Sequence, residues 1–270
     1  MTDALQVKGL RKSYGKKEVL KGVDLCVRKG EIFALLGVNG AGKTTTLECI
    51  EGLRKYDGGS VSVDGSIGIQ LQSASLPAYI KGIEAIRLFA KWNRVSADAS
   101  MLEALGIEGL AGKQYQEMST GQKRRLHLAL ALLSDPDIVF LDEPTAGLDV
   151  EGRISLHEYI RTMKNKGKTI ILASHDMAEV ENLCDSIAIL KDGLIAFTGT
   201  VVELTEKVGT HYNVRVKTGR GTEDHEVDNI GAGLIAILRD YQKKDIVIQD
   251  IQVDRGSLEQ HFVKIAREDD

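Results

Sequence analysis

The chain has 270 residues, 43% of them hydrophobic and 27% charged, with a formal net charge of -4. That is ordinary globular composition, long enough for one large core and a small second domain, and the charge gives no electrostatic case for binding nucleic acid or an anionic membrane surface. No run approaches the roughly 18 to 20 apolar residues that cross a bilayer.

The most apolar stretch, Leu126 to Leu141, is interrupted by His127, Ser134, Asp135, Pro136 and Asp137. The opening MTDALQVKGLRKSYG has no apolar segment of the secretory kind. Cys26, Cys49 and Cys184 lie far apart with no CxxC pair, so they read as small buried hydrophobes in a reducing cytosol rather than disulfides or metal ligands. The chain reads as soluble and cytosolic.

Taken in order, LQVKGL (Leu5 to Leu10) alternates as a strand and Glu18 to Val27 does so loosely. EIFALLG is an apolar strand running into a glycine-rich turn, and a helix starts near Gly42 and continues through TTTLECIEGL. Short strands are expected at SVSVDG and IGIQ, and a helical pattern from about Ser73 to Leu133. Within it Ala85, Leu88, Phe89 and Trp92 fall at i, i+3, i+4, i+7 and form one apolar stripe, expected to be internal core. Three strand-loop-helix units follow at DIVFLDEP, TIILASH and SIAILKDG, the last continued by LIAFTG. Strands alternating with helices predict a mostly parallel sheet with helices packed against it.

Composition changes near Gly209-Thr210. Beyond it YNVRVK and EDHEVD read as edge-type strands, IGAGLIAILRDYQKK as a helix and IVIQDIQV as a third strand. SLEQHFVKIARE reads as a helix opened by Ser257, with Gln260 at capping-box spacing. The expected organisation is a domain over 1–209, with a helical subdomain at about 73–134, and a small α+β domain over 210–270 that shows no chemistry of its own. No internal repeat or low-complexity tract is present.

Gly37-Val38-Asn39-Gly40-Ala41-Gly42-Lys43-Thr44 fits G-x4-G-K-[ST], and it follows an apolar strand and opens a helix, the context this motif requires. Glycines let the backbone curl so that successive N–H groups face the phosphates of a nucleotide, and the helix N-terminus adds its positive end. Lys43 would bridge the β- and γ-phosphates, Thr44 would offer its hydroxyl to Mg²⁺, and Thr45 would reach the α-phosphate. A loop of this kind alone does not separate an ATPase from a GTPase or a kinase.

Ile138 to Glu143 is an apolar strand ending in two carboxylates. Its tip puts Asp142 where a carboxylate can hold the Mg²⁺ shell, and leaves Glu143 free to orient or deprotonate an attacking water. As a bare pair these would be solvated carboxylates at a strand end; combined with the phosphate loop they read as the second half of the site.

Between the two phosphate elements stands Met118-Ser119-Thr120-Gly121-Gln122, followed by KRRLHLALALLSDPD. This resembles the LSGGQ signature of ABC ATPases, in that family's order. Further residues carry the resemblance over about Leu5 to Thr210. Tyr14 looks like the aromatic that stacks on adenine, and Gln72 like the Q-loop glutamine that senses Mg²⁺ and the membrane partner, with Gln70 a competitor for that role. Ala146-Gly147-Leu148-Asp149 looks like the D-loop, and His175 like the switch histidine at the γ-phosphate. Three positions depart from the usual pattern: Met118 stands for leucine, Thr120 for the first signature glycine, and Val38 for a proline often found in the loop.

The resemblance implies an α/β P-loop NTPase core of ABC type, with an antiparallel β subdomain and a helical subdomain, hydrolysing ATP with Mg²⁺. Ser119 and Gln122 form an N-cap pair by themselves. In this family that exposed helix end, with Ser119, Gly121 and Gln122, grips the γ-phosphate held by the other subunit, so the implied unit is a head-to-tail dimer, two copies or a paralogue pair. A separate polytopic permease is implied as well, docking near Ser73 to Arg94 on the cytoplasmic face of the membrane, with the chain peripheral there. The C-terminal SLEQHFVKIA resembles the small domain of drug-resistance and related export ATPases, which favours export over import. The alternative is a soluble ABC ATPase of an assembly or maintenance complex. Its chromosome and repair types carry long coiled coils or Cys clusters between the phosphate motifs, and neither is present here.

Overall fold

The computed structural model describes residues 2–70, 75–174, 176–208, 212–255, 262 and 265. The chain begins with two long strands, β1 (Asp3–Tyr14) and β2 (Lys17–Arg28), then β3 (Ile32–Leu36) and α1 (Lys43–Ile50). β4 (Gly58–Val63) and β5 (Ile67–Gln70) lead into α2 (Gly82–Asn93), α3 (Ala99–Ala104), two 3₁₀ turns and α4 (Thr120–Leu132). Then come β6 (Ile138–Asp142), α5 (Val150–Asn165), β7 (Thr169–Ala173), α6 (Met177–Leu183), β8 (Ser186–Lys191) and β9 (Leu194–Gly199). The remainder is α7 (Val201–Val208), β10 (Tyr212–Thr218), β11 (Gly221–Val227), α8 (Ile230–Lys243) and β12 (Ile248–Arg255).

Two compact units result, Met1–Thr198 and Gly199–Asp270. In the first, six strands form one sheet in the order β5-β6-β7-β3-β8-β9. The ladders β5–β6, β6–β7, β7–β3 and β3–β8 are all parallel. Every residue of β3 and β7 is buried, the both-faced burial that covered parallel strands need and that produces their unbroken apolar runs. A second, antiparallel sheet has the order β2-β1-β4. Between the sheets lies one core, built from Leu5, Val7, Leu10, Leu20 and Leu25 of the antiparallel sheet, Phe33, Phe140 and Ile171 of the parallel one, and Leu47, Cys49 and Ile50 of α1. Each such side chain contributes about 1.5–3 kcal/mol by leaving water. α1 is therefore clamped on its apolar side, and the loop that starts it cannot wander.

The second unit has an antiparallel sheet in the order β11-β10-β12. Val214 and Val216 on its central strand pack with Ile237 and Tyr241 of α8. The composition change at Gly209-Thr210 falls outside the described residues; the division of the structure comes earlier, so α7, which the sequence pattern did not single out, belongs with the second unit. Of the expected helix at Ser257 to Glu268 only Phe262 and Ile265 are described, both helical.

Several expectations need correction. The helical pattern over 73–133 is three separate helices, because Arg94 takes a left-handed φ of 58° and Gly106 one of 63°, each ending a turn. α1 stops at Ile50 rather than running through Leu53. The apolar stripe on α2 is internal core only in part: Ala85 is buried and Phe89 half-buried, but Leu88 is 52% and Trp92 80% exposed. The buried side of α2 runs through Gly82, Ala85, Ile86 and Ala90. Small residues there let the backbone approach its neighbour, and a Cβ on Gly82 would meet the Leu110 carbonyl oxygen at 2.5 Å. Periodicity weighted by hydropathy overlooks such a face. Cys26 is also exposed, on the outer side of β2, while all three cysteines are free.

Candidate functional site

β3 delivers the chain into the loop 37–42, and α1 begins at Lys43 behind Gly42, whose φ of 110° opens the turn. Two glycines here are dictated by space. A Cβ on Gly37 would stand 2.6 Å from the Leu190 carbonyl oxygen, and one on Gly42 would stand 2.8 Å from Leu20 Cδ2. Lys43 folds back over this loop, its Nζ donating to the Gly37 carbonyl at 2.6 Å and to the Val38 carbonyl at 3.4 Å. Thr46 is buried and closes the first turn, its hydroxyl donating to the Gly42 carbonyl at 2.9 Å.

A cleft of about 300 Å³ lies over the loop, lined by Val19, Asn39, Gly40, Gly42, Lys43, Thr44, Thr45, Asp142 and Glu143. In the sheet one strand, β7, separates β3 from β6, so the phosphate-loop residues and the two carboxylates meet across it although a hundred residues of chain lie between them. Ala41 is buried beneath the loop. Burial holds the Lys43 ammonium below its ordinary pKa, against the opposing pull of Glu143 and Asp142. The Asp142 carboxyl is raised, by burial first and then by the charge of Glu143, with Lys43 and Arg124 acting the other way. A desolvated ammonium facing two neighbouring carboxylates is a setting that favours a phosphate and a cation together.

Glu143 sits at a left-handed φ of 51°. Its N–H donates to the Ala173 carbonyl at 2.9 Å, which ties it to the end of β7. His175 and Gln72 lie outside the described residues. The neighbours of His175 are well held: buried Ser174 donates its hydroxyl to Glu179 Oε2 at 2.6 Å, and Asp176 caps α6 by accepting from the Glu179 N–H at 3.1 Å. Gln70 is described, and its buried Oε1 has no hydrogen-bond partner among the described residues.

Ser119 and Gln122 form a reciprocal cap on α4. The Gln122 N–H donates to Ser119 Oγ at 3.3 Å, and the Ser119 N–H donates to Gln122 Oε1 at 3.1 Å. Lys113 Nζ donates to that same Oε1 at 2.9 Å. Ser119 and Thr120 are exposed, while Met118 is buried beneath them. Neither Ser119, Gly121 nor Gln122 lines the cleft that holds Lys43. Asp149 caps α5, its Oδ1 accepting from the Gly152 N–H at 2.8 Å, so its carboxylate has a structural task in this chain. Tyr14 ends β1 outside the cleft lining, with Lys12 Nζ 5.7 Å and Arg54 Cζ 5.4 Å from its ring centre.

Two residues near the site were not anticipated. Arg124 on α4 donates through Nη1 to the Glu143 carbonyl. Glu51, just past α1, has its carboxyl pushed up to about 7 by burial, with Asp142 and Glu48 adding to it. A signal for Arg124 exists in the run Lys123-Arg124-Arg125, since cations near a helix N-terminus oppose its dipole and call for a partner.

Comparison with known proteins agrees with this geometry. Residues 20–146 match the family described as ABC transporter. The chain is 34% identical over 223 residues to the linearmycin resistance ATP-binding protein LnrL of Bacillus subtilis (strain 168), covering 76% of this chain and 72% of that one. It is 28% identical to the daunorubicin resistance ATP-binding protein DrrA3 of Streptomyces coeruleorubidus, over 98% of this chain and 96% of the other. Identity to the Nod factor export ATP-binding protein I of Burkholderia orbicola (strain AU 1054) is 37%, over 70% and 68% of the two chains. Among solved structures, an ATP-binding subunit of an ABC transporter superposes with a TM-score of 0.71 at 29% identity, over 76% of this chain and 92% of that one.

Proposed function

The chain belongs to the ABC transporter family as an ATP-binding subunit, and from that premise we propose that it hydrolyses ATP to drive export through a separate membrane-spanning permease. The observation that carries the reading is the single cleft in which Lys43 and the loop backbone face Asp142 and Glu143. Two relatives are resistance ATP-binding proteins and a third is an export ATP-binding protein, which supports export as the direction. No helix among the described residues is long and apolar enough to cross a membrane, in keeping with a spanning partner on another polypeptide.

The residues take these roles. Backbone N–H groups from Gly37, Asn39, Gly40, Ala41 and Gly42 cradle the phosphates. Lys43 neutralises the β- and γ-phosphates, and Thr45 bonds the α-phosphate. Tyr14 supplies an aromatic face for adenine. The donors that suit Mg²⁺ are oxygens, the Thr44 hydroxyl and the Asp142 carboxylate, both lining the cleft. Gln72 would complete the set, and one or two protein oxygens plus phosphate and water is the coordination Mg²⁺ favours. When bound, the ion offsets charge building on the phosphate oxygens. Glu143 orients and deprotonates the attacking water, and His175 contacts the γ-phosphate.

Ser119, Gly121 and Gln122 serve the ATP of a second copy, in a head-to-tail dimer with Asp149 between the sites. Their position outside this chain's own cleft supports that division of labour. For the permease we propose a docking face on α2 formed by Leu88 and Trp92. They lie four residues apart on one exposed side, directly after the Q-loop segment. The occupant is a cytosolic helix of the permease, which would cover apolar surface that water otherwise meets.

The test is recovery of the tagged chain from gently solubilised host membranes. A stoichiometric polytopic partner, together with ATP hydrolysis that chelation of Mg²⁺ abolishes, would support the proposal. Recovery only from the soluble fraction with cytosolic proteins would overturn the transport reading.

A further inference from the structure

Arg124 is half-buried on α4, one turn beyond the signature cap, and reaches across to the loop after β6. There its guanidinium donates to the carbonyl of Glu143. The backbone of Glu143 is held on both sides of its Cα. The Glu143 N–H bonds to Ala173 at the end of β7, its carbonyl accepts from the Ala146 N–H at 3.2 Å, and the same carbonyl accepts from Arg124. Between these bonds Glu143 keeps a φ of 51°, a left-handed backbone region that residues other than glycine visit rarely. The start of α4 touches the same loop twice more. A Cβ on Gly121 would lie 3.0 Å from Leu148 Cδ2, and one on Gly147 would lie 3.1 Å from Thr120 Cγ2. The beginning of the signature helix and the loop from Glu143 to Leu148 are thus one packed assembly within a single chain.

We propose that Arg124 is a positioning residue for Glu143, fixing the peptide that aims its carboxylate and tying the helix that grips the partner's ATP to the carboxylate that attends this chain's own ATP. The proposal rests on the dimer reading above and adds a route by which occupancy of one site reaches the chemistry of the other. A guanidinium suits the task because it is planar, always charged and rich in donors. Burial disfavours that charge, and the nearby carboxylates of Glu143 and Asp142 oppose this only in part. Movement of α4 when its exposed end closes on a phosphate would reach the Glu143 carbonyl through the planar guanidinium fork.

Full-length Arg124→Ala, Arg124→Lys, Glu143→Gln and the Arg124→Ala/Glu143→Gln double variant, purified from host membranes, decide the matter through kcat, KM for ATP and melting temperature. In Arg124→Ala we expect kcat to fall roughly tenfold to a hundredfold, the loss typical of a misplaced reacting group. KM should stay within about twofold, since ground-state phosphate contacts are untouched. Arg124→Lys should recover part of kcat by restoring one donor, and adding Arg124→Ala to Glu143→Gln should cost less than about twofold more, because the aimed group is already silent. An Arg124→Ala kcat within about twofold of wild type, beside an inactive Glu143→Gln, would overturn the inference alone. Loss of kcat, KM and melting temperature together, with Arg124→Lys no better than alanine, would also overturn it, as a packing effect. Wild-type turnover by Glu143→Gln would overturn the assignment of Glu143 and this inference with it.

Discussion

Gly121, in the first turn of the signature helix, faces Leu148 of the loop that follows the two carboxylates, and a Cβ at Gly121 would come within 3.0 Å of Leu148 Cδ2. That separation is tight for a methyl and leaves no room for a carboxylate. Gly121→Asp would push the loop away and put a negative charge where a phosphate is to be gripped. Light scattering with and without ATP should show loss of ATP-driven dimerisation, while nucleotide affinity of the single chain changes less than about threefold, because Lys43 and the phosphate loop lie on other elements. A Gly121→Asp chain that still pairs on ATP would remove the signature from the site.

Lys43→Ala removes the one ammonium that lines the cleft among the described residues. Charge-assisted hydrogen bonds contribute about 1.5–3 kcal/mol each, so calorimetric titration should show ATP affinity reduced about tenfold or more, and turnover should fall to background. Retained turnover would show that another cation holds the phosphates.

Glu143→Gln keeps the shape of the side chain and loses the base. ATP binding should persist, and the ATP-bound dimer should accumulate and remain stable on size-exclusion chromatography. Hydrolysis at the wild-type rate would show that Glu143 does not deprotonate the water.

Leu88→Ala and Trp92→Ala together change exposed side chains. Stability should move by less than about 0.5 kcal/mol, as for other surface substitutions, and ATP affinity should be unaltered. Recovery of the membrane partner should drop sharply in quantitative co-purification. An unchanged yield of partner would exclude this side of α2 as the dock.

Glu51 offers a pH test. Its carboxyl is raised from 4.5 to about 7, by burial first. A carboxyl with a raised folded-state pKa contributes stability that is fully present below its unfolded value and lost as pH rises through its folded one, so the chain should lose stability from about pH 5 to pH 8 on its account. Glu51→Gln should remove that slope and melt higher than wild type at pH 8, by an amount on the order of 2 kcal/mol. Parallel melting curves for the two proteins across that range would show that Glu51 is ionised throughout.

Much of the site could be read along the chain because its parts are local. The phosphate loop is contiguous, its glycines answer contacts within a strand-turn-helix unit, and Lys43 and Thr44 follow by spacing. The carboxylates at the tip of β6 mark themselves by ending an apolar strand. The cap made by Ser119 and Gln122 is a four-residue pattern, and it forms as such. Asp149 was legible as part of a motif, though not as the cap of α5 that it also is.

What the sequence by itself determined, then, was the set of short-range devices: loop, caps, strand tips and the alternation that makes a parallel sheet. Only the tertiary structure decided that the buried face of α2 is turned toward Gly82, Ile86 and Ala90, leaving Leu88 and Trp92 exposed, because glycine carries little weight in hydropathy yet lets the backbone come close to Leu110. It alone brought Arg124 to Glu143 and Glu51 under the influence of Asp142. Those contacts join residues distant in sequence through packing, and desolvation and charge proximity act through space, where no spacing along a chain records them.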